Sequence, residues 1–153
     1  MTLTEAQLVA WGEHVGASVQ TPVFVALSGD LGAGKSVLAR AIARGAGVEA
    51  LMPSPTVNLL FRYNARNGTE VVHMDLYRIE RPEDVWELGW RELGAANEIT
   101  LVEWPERAGS LLPPDRWDIH LGIAAPDTRI ITLKPVGTVP DLPQPSVQHA
   151  RRD

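Results

Sequence analysis

No cysteine occurs among the 153 residues, which excludes a disulfide, a thiolate metal site and a cysteine nucleophile together. The absence suits a reducing compartment. Long apolar runs are missing too: none approaches the ~20 residues of a spanning helix, and the first residues lack the basic-then-apolar pattern of a secretory signal. A cytoplasmic protein with no membrane partner is expected. Basic charge is also scarce, with 14 Lys and Arg against 19 Asp and Glu and a formal net charge of -5. Independent binding to nucleic acid needs a clustered basic surface, so any link to RNA is expected to be indirect. No internal repeat is visible, and the length fits one domain around a single sizeable core.

Aromatic residues make up only 6% of the chain, yet five of them are tryptophan. Trp86, Trp90, Trp104 and Trp117 all fall in the second half. They read as core or partner-facing anchors rather than stacking platforms for bases.

Against these absences stands Gly29-Asp30-Leu31-Gly32-Ala33-Gly34-Lys35-Ser36, which satisfies G-x-x-x-x-G-K-[ST] in full. The pattern names a ligand class, a nucleoside triphosphate with magnesium. Its flanks have the order that such a loop requires. Pro22 to Ser28 reads as a short buried strand, and Leu38, Ala41, Ile42 and Gly45 form one apolar stripe at helical period, with Gly45 or Gly47 as the stop. Strand, glycine-rich turn and helix together aim consecutive backbone N–H groups into one concavity at the positive end of a helix. Gly29, Gly32 and Gly34 let the backbone approach phosphates without a Cβ in the way. Lys35 is expected to reach the β and γ phosphates, and the Ser36 hydroxyl to ligate magnesium. Leu31 and Ala33 complete the candidate nucleotide-binding loop.

The rest of the chain reads as further strands and short helices. Thr4 and Gln7 match a capping box ahead of a first helix marked by Leu8, Trp11 and Val15. Met52 to Thr56 is punctuated by proline and cannot be helical. Strands are expected near 57–63 and 70–77, joined through Asn67-Gly68 as an antiparallel hairpin, with one or two short helices around Gly89 in residues 81–97. A short strand over 99–103 precedes Trp104-Pro105, and strands over 117–123 and 129–134 form a second hairpin. The fold class expected is α/β, a single-domain P-loop NTPase with a mixed, partly parallel central sheet flanked by helices, over residues 1–136. From 137 to 153 the chain carries Pro140, Pro143 and Pro145 without apolar period and reads as a flexible tail.

Hydrolysis also needs a carboxylate near the metal and a group that places the attacking water. Two acids compete for these roles. Strand period puts His73, Asp75 and Tyr77 on one face and Val72, Met74 and Leu76 on the other. Glu103 ends the short strand 99–103, and ligands bind at strand carboxyl ends in sheets of this kind. The bland alternatives are an Asp75 ion pair with Arg78 or Arg62, and a Glu103 that merely starts a helix beside Pro105. Arg78 and Arg107 carry charge that would suit a transition state or a partner contact.

Read together, the phosphate loop, Ser54-Pro55-Thr56, His73-Met74-Asp75-Leu76-Tyr77-Arg78 and Leu101-Val102-Glu103-Trp104-Pro105-Glu106 resemble the bacterial TsaE family over residues 3–135. The resemblance implies a small ATPase that uses ATP and Mg2+. It would serve, with the TsaD and TsaB proteins, the synthesis of N6-threonylcarbamoyladenosine at position 37 of tRNAs reading codons that begin with A. It further implies a switch role near the γ-phosphate for Thr56, metal and water roles for Asp75 and Glu103, the family's motif tryptophan at Trp104, and base contacts near Thr4 and Glu5. Val57 replaces the family's usual aromatic, and Ser36 stands for the commoner threonine while keeping its hydroxyl.

Two rival classes stay open. A P-loop kinase would need an arginine-rich lid and an acceptor pocket, and 81–97, with Arg81 and Arg91 among acids, makes a poor lid. A GTP switch would need Asn-Lys-x-Asp, but Asn58, Asn64, Asn67 and Asn97 are followed by Leu, Ala, Gly and Glu.

Overall fold

The computed structural model describes residues 1–49 and 59–145. Its first helix starts as the sequence predicts. The Gln7 N–H donates to Thr4 Oγ1 at 3.2 Å, and the Thr4 N–H donates to Gln7 Oε1 at 2.8 Å, so two otherwise orphaned donors are satisfied reciprocally. Helix α1 then runs Glu5–Ser18, preceded by a three-residue strand β1, Thr2–Thr4, that the sequence reading did not anticipate. The remaining elements are β2 Val23–Ser28, α2 Lys35–Ala46, β3 Leu60–Asn64, β4 Glu70–Asp75, β5 Glu98–Glu103, β6 Arg116–Ala125 and β7 Thr128–Val136.

The seven strands among the described residues join one sheet in the order β1-β7-β6-β2-β5-β4-β3. The β6, β2, β5 and β4 strands are mutually parallel, and antiparallel hairpins flank them, β3 against β4 and β7 against β6. The mixed, partly parallel sheet is thus the one expected. Alternation along β2 divides the core: Val23, Val25 and Leu27 meet α1 and α2, while Phe24 and Ala26 face a second cluster with Val72, Met74, Val85, Trp90 and Val102. The Trp90 ring meets Phe24 edge to face at 6.0 Å.

Segment 81–97 winds as tight 3₁₀ turns, Pro82–Leu88 and Trp90–Glu92, broken by Gly89 at φ 81. One or two short helices around Gly89 were expected; the narrower winding follows from the brevity of the two that form. The β4 strand ends at Asp75, two residues before the expected limit, because the Tyr77 N–H turns back to donate to Asp75 Oδ1 at 2.8 Å.

Helix α2 stops at Gly47, which adopts φ 102, and not at Gly45. Gly45 instead marks a close crossing of the two helices. A Cβ built on it would lie 2.0 Å from the Glu13 carbonyl oxygen, and one on Gly16 would lie 1.9 Å from that of Ile42. The helix carrying the phosphate loop is therefore clamped against α1 backbone to backbone.

The expectation of a flexible tail from 137 needs correction for residues 137–145. Leu142 is buried in the main core, the Trp11 Nε1–H donates to the Pro143 carbonyl at 2.7 Å, and the Trp117 Nε1–H donates to the Pro140 carbonyl at 2.8 Å. Two indole donors that burial would orphan find partners here, and the segment forms a strap across α1 and β6. Residues 146–153 lie outside the described residues. Among the described residues no helix is long and apolar enough to cross a membrane.

Candidate nucleotide and metal site

Parallel pairing fixes where the site lies. Leu27 of β2 and Asp75 of β4 both stand level with Glu103 of β5, so the carboxyl ends of three adjacent strands open beside the N-terminus of α2. The loop between β2 and α2 holds its shape through glycine. Gly29, Gly32 and Gly34 adopt φ of 143, 81 and 102. A Cβ on Gly29 would sit 2.4 Å from the Leu121 carbonyl oxygen, so this turn also needs glycine for space. The Ala33 N–H donates to the Asp30 carbonyl at 3.0 Å, closing a turn with Leu31 at its exposed tip.

Lys35 and Ser36 open α2. The Lys35 ammonium donates to the carbonyls of Gly29 and Asp30 and lies 4.3 Å from the centre of the Trp104 ring. Burial lowers its pKa, an effect countered by the carboxylates of Glu103, Glu106, Asp75 and Asp30. The Ser36 hydroxyl donates to the Glu103 carboxylate, with both oxygens at 2.9 Å. Glu103 is 2% exposed and takes a second hydrogen bond, from His73 Nε2 at 2.6 Å. Because a carboxylate only accepts, the His73 hydrogen must sit on Nε2; Nδ1 is buried without a partner among the described residues.

Asp75 stands in the neighbouring register position, and burial raises its pKa. The Tyr77 N–H opposes that rise, while the Glu103 charge adds to it. The Asp75 ion pair weighed with Arg62 does not form, because Arg62 lies 2.8 Å from Glu70 and 3.5 Å from Glu98. Nor does Glu103 merely start a helix: its oxygens point to Ser36 and His73. The face of β4 carrying His73 and Asp75, read as polar and chemical, is buried, with His73 wholly enclosed.

Trp104 follows Glu103 at φ 58 and ψ 50, a left-handed conformation that costs a non-glycine residue about 1–2 kcal/mol. Proline at 105 disfavours the right-handed alternative. The Tyr77 ring lies 4.9 Å from the Trp104 ring, and the Arg107 guanidinium 5.7 Å from Tyr77. Lys35, Trp104, Tyr77 and Arg107 therefore form a ladder of cation, two rings and cation.

The donor set suits a magnesium nucleotide. One hydroxyl and two carboxylates are hard oxygen ligands, and glycines leave open the concavity that a Cβ would crowd. Among the described residues no group of three or more His, Asp or Glu could hold a metal by itself. A cation here would need phosphate oxygens to complete its shell, as magnesium commonly does. Thr56 falls outside the described residues, together with Ser54 and Pro55.

Sequence reasoning missed Arg129. Its guanidinium reaches the carbonyls of Ala33 at 3.1 Å and Gly32 at 3.2 Å from β7. No residue pattern signals a contact made entirely to backbone.

Comparison with known proteins bears on the family and the fold. The sequence model of the family described as "Threonylcarbamoyl adenosine biosynthesis protein TsaE" matches residues 2–131. The chain is 35% identical over 123 residues to the tRNA threonylcarbamoyladenosine biosynthesis protein TsaE of Treponema pallidum (strain Nichols), covering 80% of this chain and 90% of that one. It is 34% identical over 131 residues to the protein of the same name from Rickettsia bellii, covering 85% and 90%. A crystal structure of Bacillus subtilis YdiB superposes with a TM-score of 0.72 at 27% identity, covering 90% of this chain and 86% of the other. The chain belongs to the TsaE family.

Proposed function

We propose that this protein is a magnesium-dependent ATPase of the cytoplasm that supports formation of N6-threonylcarbamoyladenosine at position 37 of tRNAs reading codons that begin with A. It acts with TsaD and TsaB, and meets tRNA only through that complex. The observation that carries the ATPase reading is the Ser36 hydroxyl bound to the Glu103 carboxylate directly beneath the glycine turn. Family membership carries the pathway.

ATP with Mg2+ would supply the electrophilic phosphoryl group and the charge that neutralises its oxygens. The loop amides and Lys35 would bind the phosphates, Lys35 giving up its carbonyl partners Gly29 and Asp30 to do so. Ser36 Oγ directs its hydrogen at Glu103, which would leave its lone pair free to hold the metal. Glu103 is held by His73 Nε2–H, which leaves its carboxylate oriented toward Ser36. Asp75, with its raised pKa, is suited to orient a water or to take its proton. Thr56 is assigned the γ-phosphate switch.

The kinase alternative gains nothing from the structure. Segment 81–97 is anchored in the second core cluster by Val85 and Trp90, where a kinase lid would need to swing.

Lys35→Ala is the direct test. Loss of Mg-ATP binding and turnover is expected, and unchanged binding with unchanged turnover would sink the assignment. Reconstituted tRNA modification that proceeds through multiple rounds without this chain would remove the pathway role.

A further inference from the structure

Resting on the nucleotide-binding reading above, we infer that Arg129 is a positioning residue for the phosphates: it fixes the peptide planes of the loop from the side opposite the ligand. Arg129 is the second residue of β7, just after the β6–β7 turn, and sends its whole guanidinium to backbone carbonyls. Nε donates to Ala33, Nη2 to Gly32, and Nη1 to Ala125, Pro126 and Thr128. Among the described residues none of its partners is a carboxylate.

The consequence follows from peptide geometry. In a trans peptide the C=O and the next N–H point in opposite directions, and the only cis bond among the described residues is Thr21-Pro22. Drawing the Ala33 carbonyl toward Arg129 therefore turns the Gly34 N–H away from Arg129 and into the concavity. Drawing the Gly32 carbonyl outward likewise sends the Ala33 N–H inward, where it closes the turn onto Asp30. Gly34 is also the N-cap of α2 and has no side-chain cap, so its N–H and those that follow are the orphan donors a phosphate would meet. Free rotation of the Ala33-Gly34 peptide would point an oxygen, not a hydrogen, at the phosphates. The planar fork of Arg129 prevents it by bonding both carbonyls through separate nitrogens fixed in one plane, a rigid geometry that a lysine's single rotatable ammonium does not impose.

The fork also ties the loop to the β6–β7 turn. That turn is three peptide groups held by one nitrogen, so the hairpin acts as a fixed backstop for the cradle.

The test compares the wild-type chain with Arg129→Ala and Arg129→Lys, titrated calorimetrically with Mg-ATP and separately with inorganic tripolyphosphate. Measurements are made at a temperature where circular dichroism shows each variant folded, so that lost stability alone would leave affinity unchanged. Arg129→Ala is expected to bind both ligands about 10- to 100-fold more weakly, by a common factor, since the loss lies in the phosphate contacts. Arg129→Lys is expected to recover only part, and free guanidinium at low concentration to restore Arg129→Ala toward wild type. Wild-type affinity for both ligands in Arg129→Ala, or a loss for ATP with none for tripolyphosphate, would overturn the inference. Failure of the wild-type chain to bind either ligand would overturn the nucleotide reading itself, and this inference with it.

Discussion

Gly16→Ala is the sharpest probe of how α2, and with it the phosphate loop, is held. Two effects oppose each other. Replacing glycine inside a helix with alanine stabilises it by roughly 0.5–1 kcal/mol through backbone entropy. Here, however, the new methyl would stand 1.9 Å from the Ile42 carbonyl oxygen and 2.7 Å from the Ala46 nitrogen, where ordinary contact begins at 3.4 Å. Both are backbone atoms of α2, so no side-chain rotation relieves the clash and the two helices must part. Parting loosens Leu8, Trp11 and Val15 from Leu38 and Ile42 in the main core. Overpacking of this kind costs about 1–3 kcal/mol or more, so the upper end outweighs the propensity gain and leaves a net loss of about 2 kcal/mol. For a chain of this size that is a Tm lower by about 4–8 °C.

A graded series isolates the cause. Gly45→Ala, meeting the Glu13 carbonyl oxygen at 2.0 Å, is expected to match Gly16→Ala. Gly12→Ala meets Ala41 Cβ at 2.7 Å and Leu38 Cδ1 at 3.0 Å, while its nearest backbone neighbour, Ile42 N, stands at an ordinary 3.4 Å, and it is expected to cost less. Thermal unfolding followed by circular dichroism, with urea titration alongside, reads all three. A Gly16→Ala protein as stable as wild type would refute the reasoning, because propensity would then have won over the crossing. Since Lys35 and Ser36 open the displaced helix, ATP affinity is expected to fall in the same order.

Two further expectations concern the site. His73→Phe keeps a ring in the buried position but removes the hydrogen bond to Glu103, and a net loss of about 1–2 kcal/mol is expected from the missing bond to a charged group; an unchanged urea midpoint would contradict it. In wild type, nucleotide binding is expected to alter tryptophan fluorescence as Lys35 leaves the Trp104 ring, and Trp104→Phe should lose that component; the same change persisting in the variant would assign it to another tryptophan.

Much of this arrangement was legible because its signals are local. The phosphate loop, β2 and α2 are read from a contiguous pattern and a short period, and Glu103 from its place at the end of a buried strand. What escaped depends on long-range pairing. The β1 strand is too short to show any period, and it exists because Thr2–Thr4 align with residues 128–130 of β7. The strap over 137–145 has no period either; its cause is two indole donors far away in sequence and the main core cluster that takes in Leu142. The polar face of His73 and Asp75 was legible but its burial was not, because alternation shows which side chains share a side, not what covers it. Arg129 escaped because its partners are carbonyl groups, which every residue carries alike.

The β7 strand is nine residues long, whereas β1 covers only its first part, and among the described residues no strand pairs with its outer edge beyond Ile131. An unpaired edge invites a strand from another molecule. Lys134 and Pro135 occupy this stretch: the lysine places charge along the rim, and the proline offers no N–H for an incoming strand. The sheet thus ends on that side in two residues ill suited to growth, which guards against edge-to-edge association during folding.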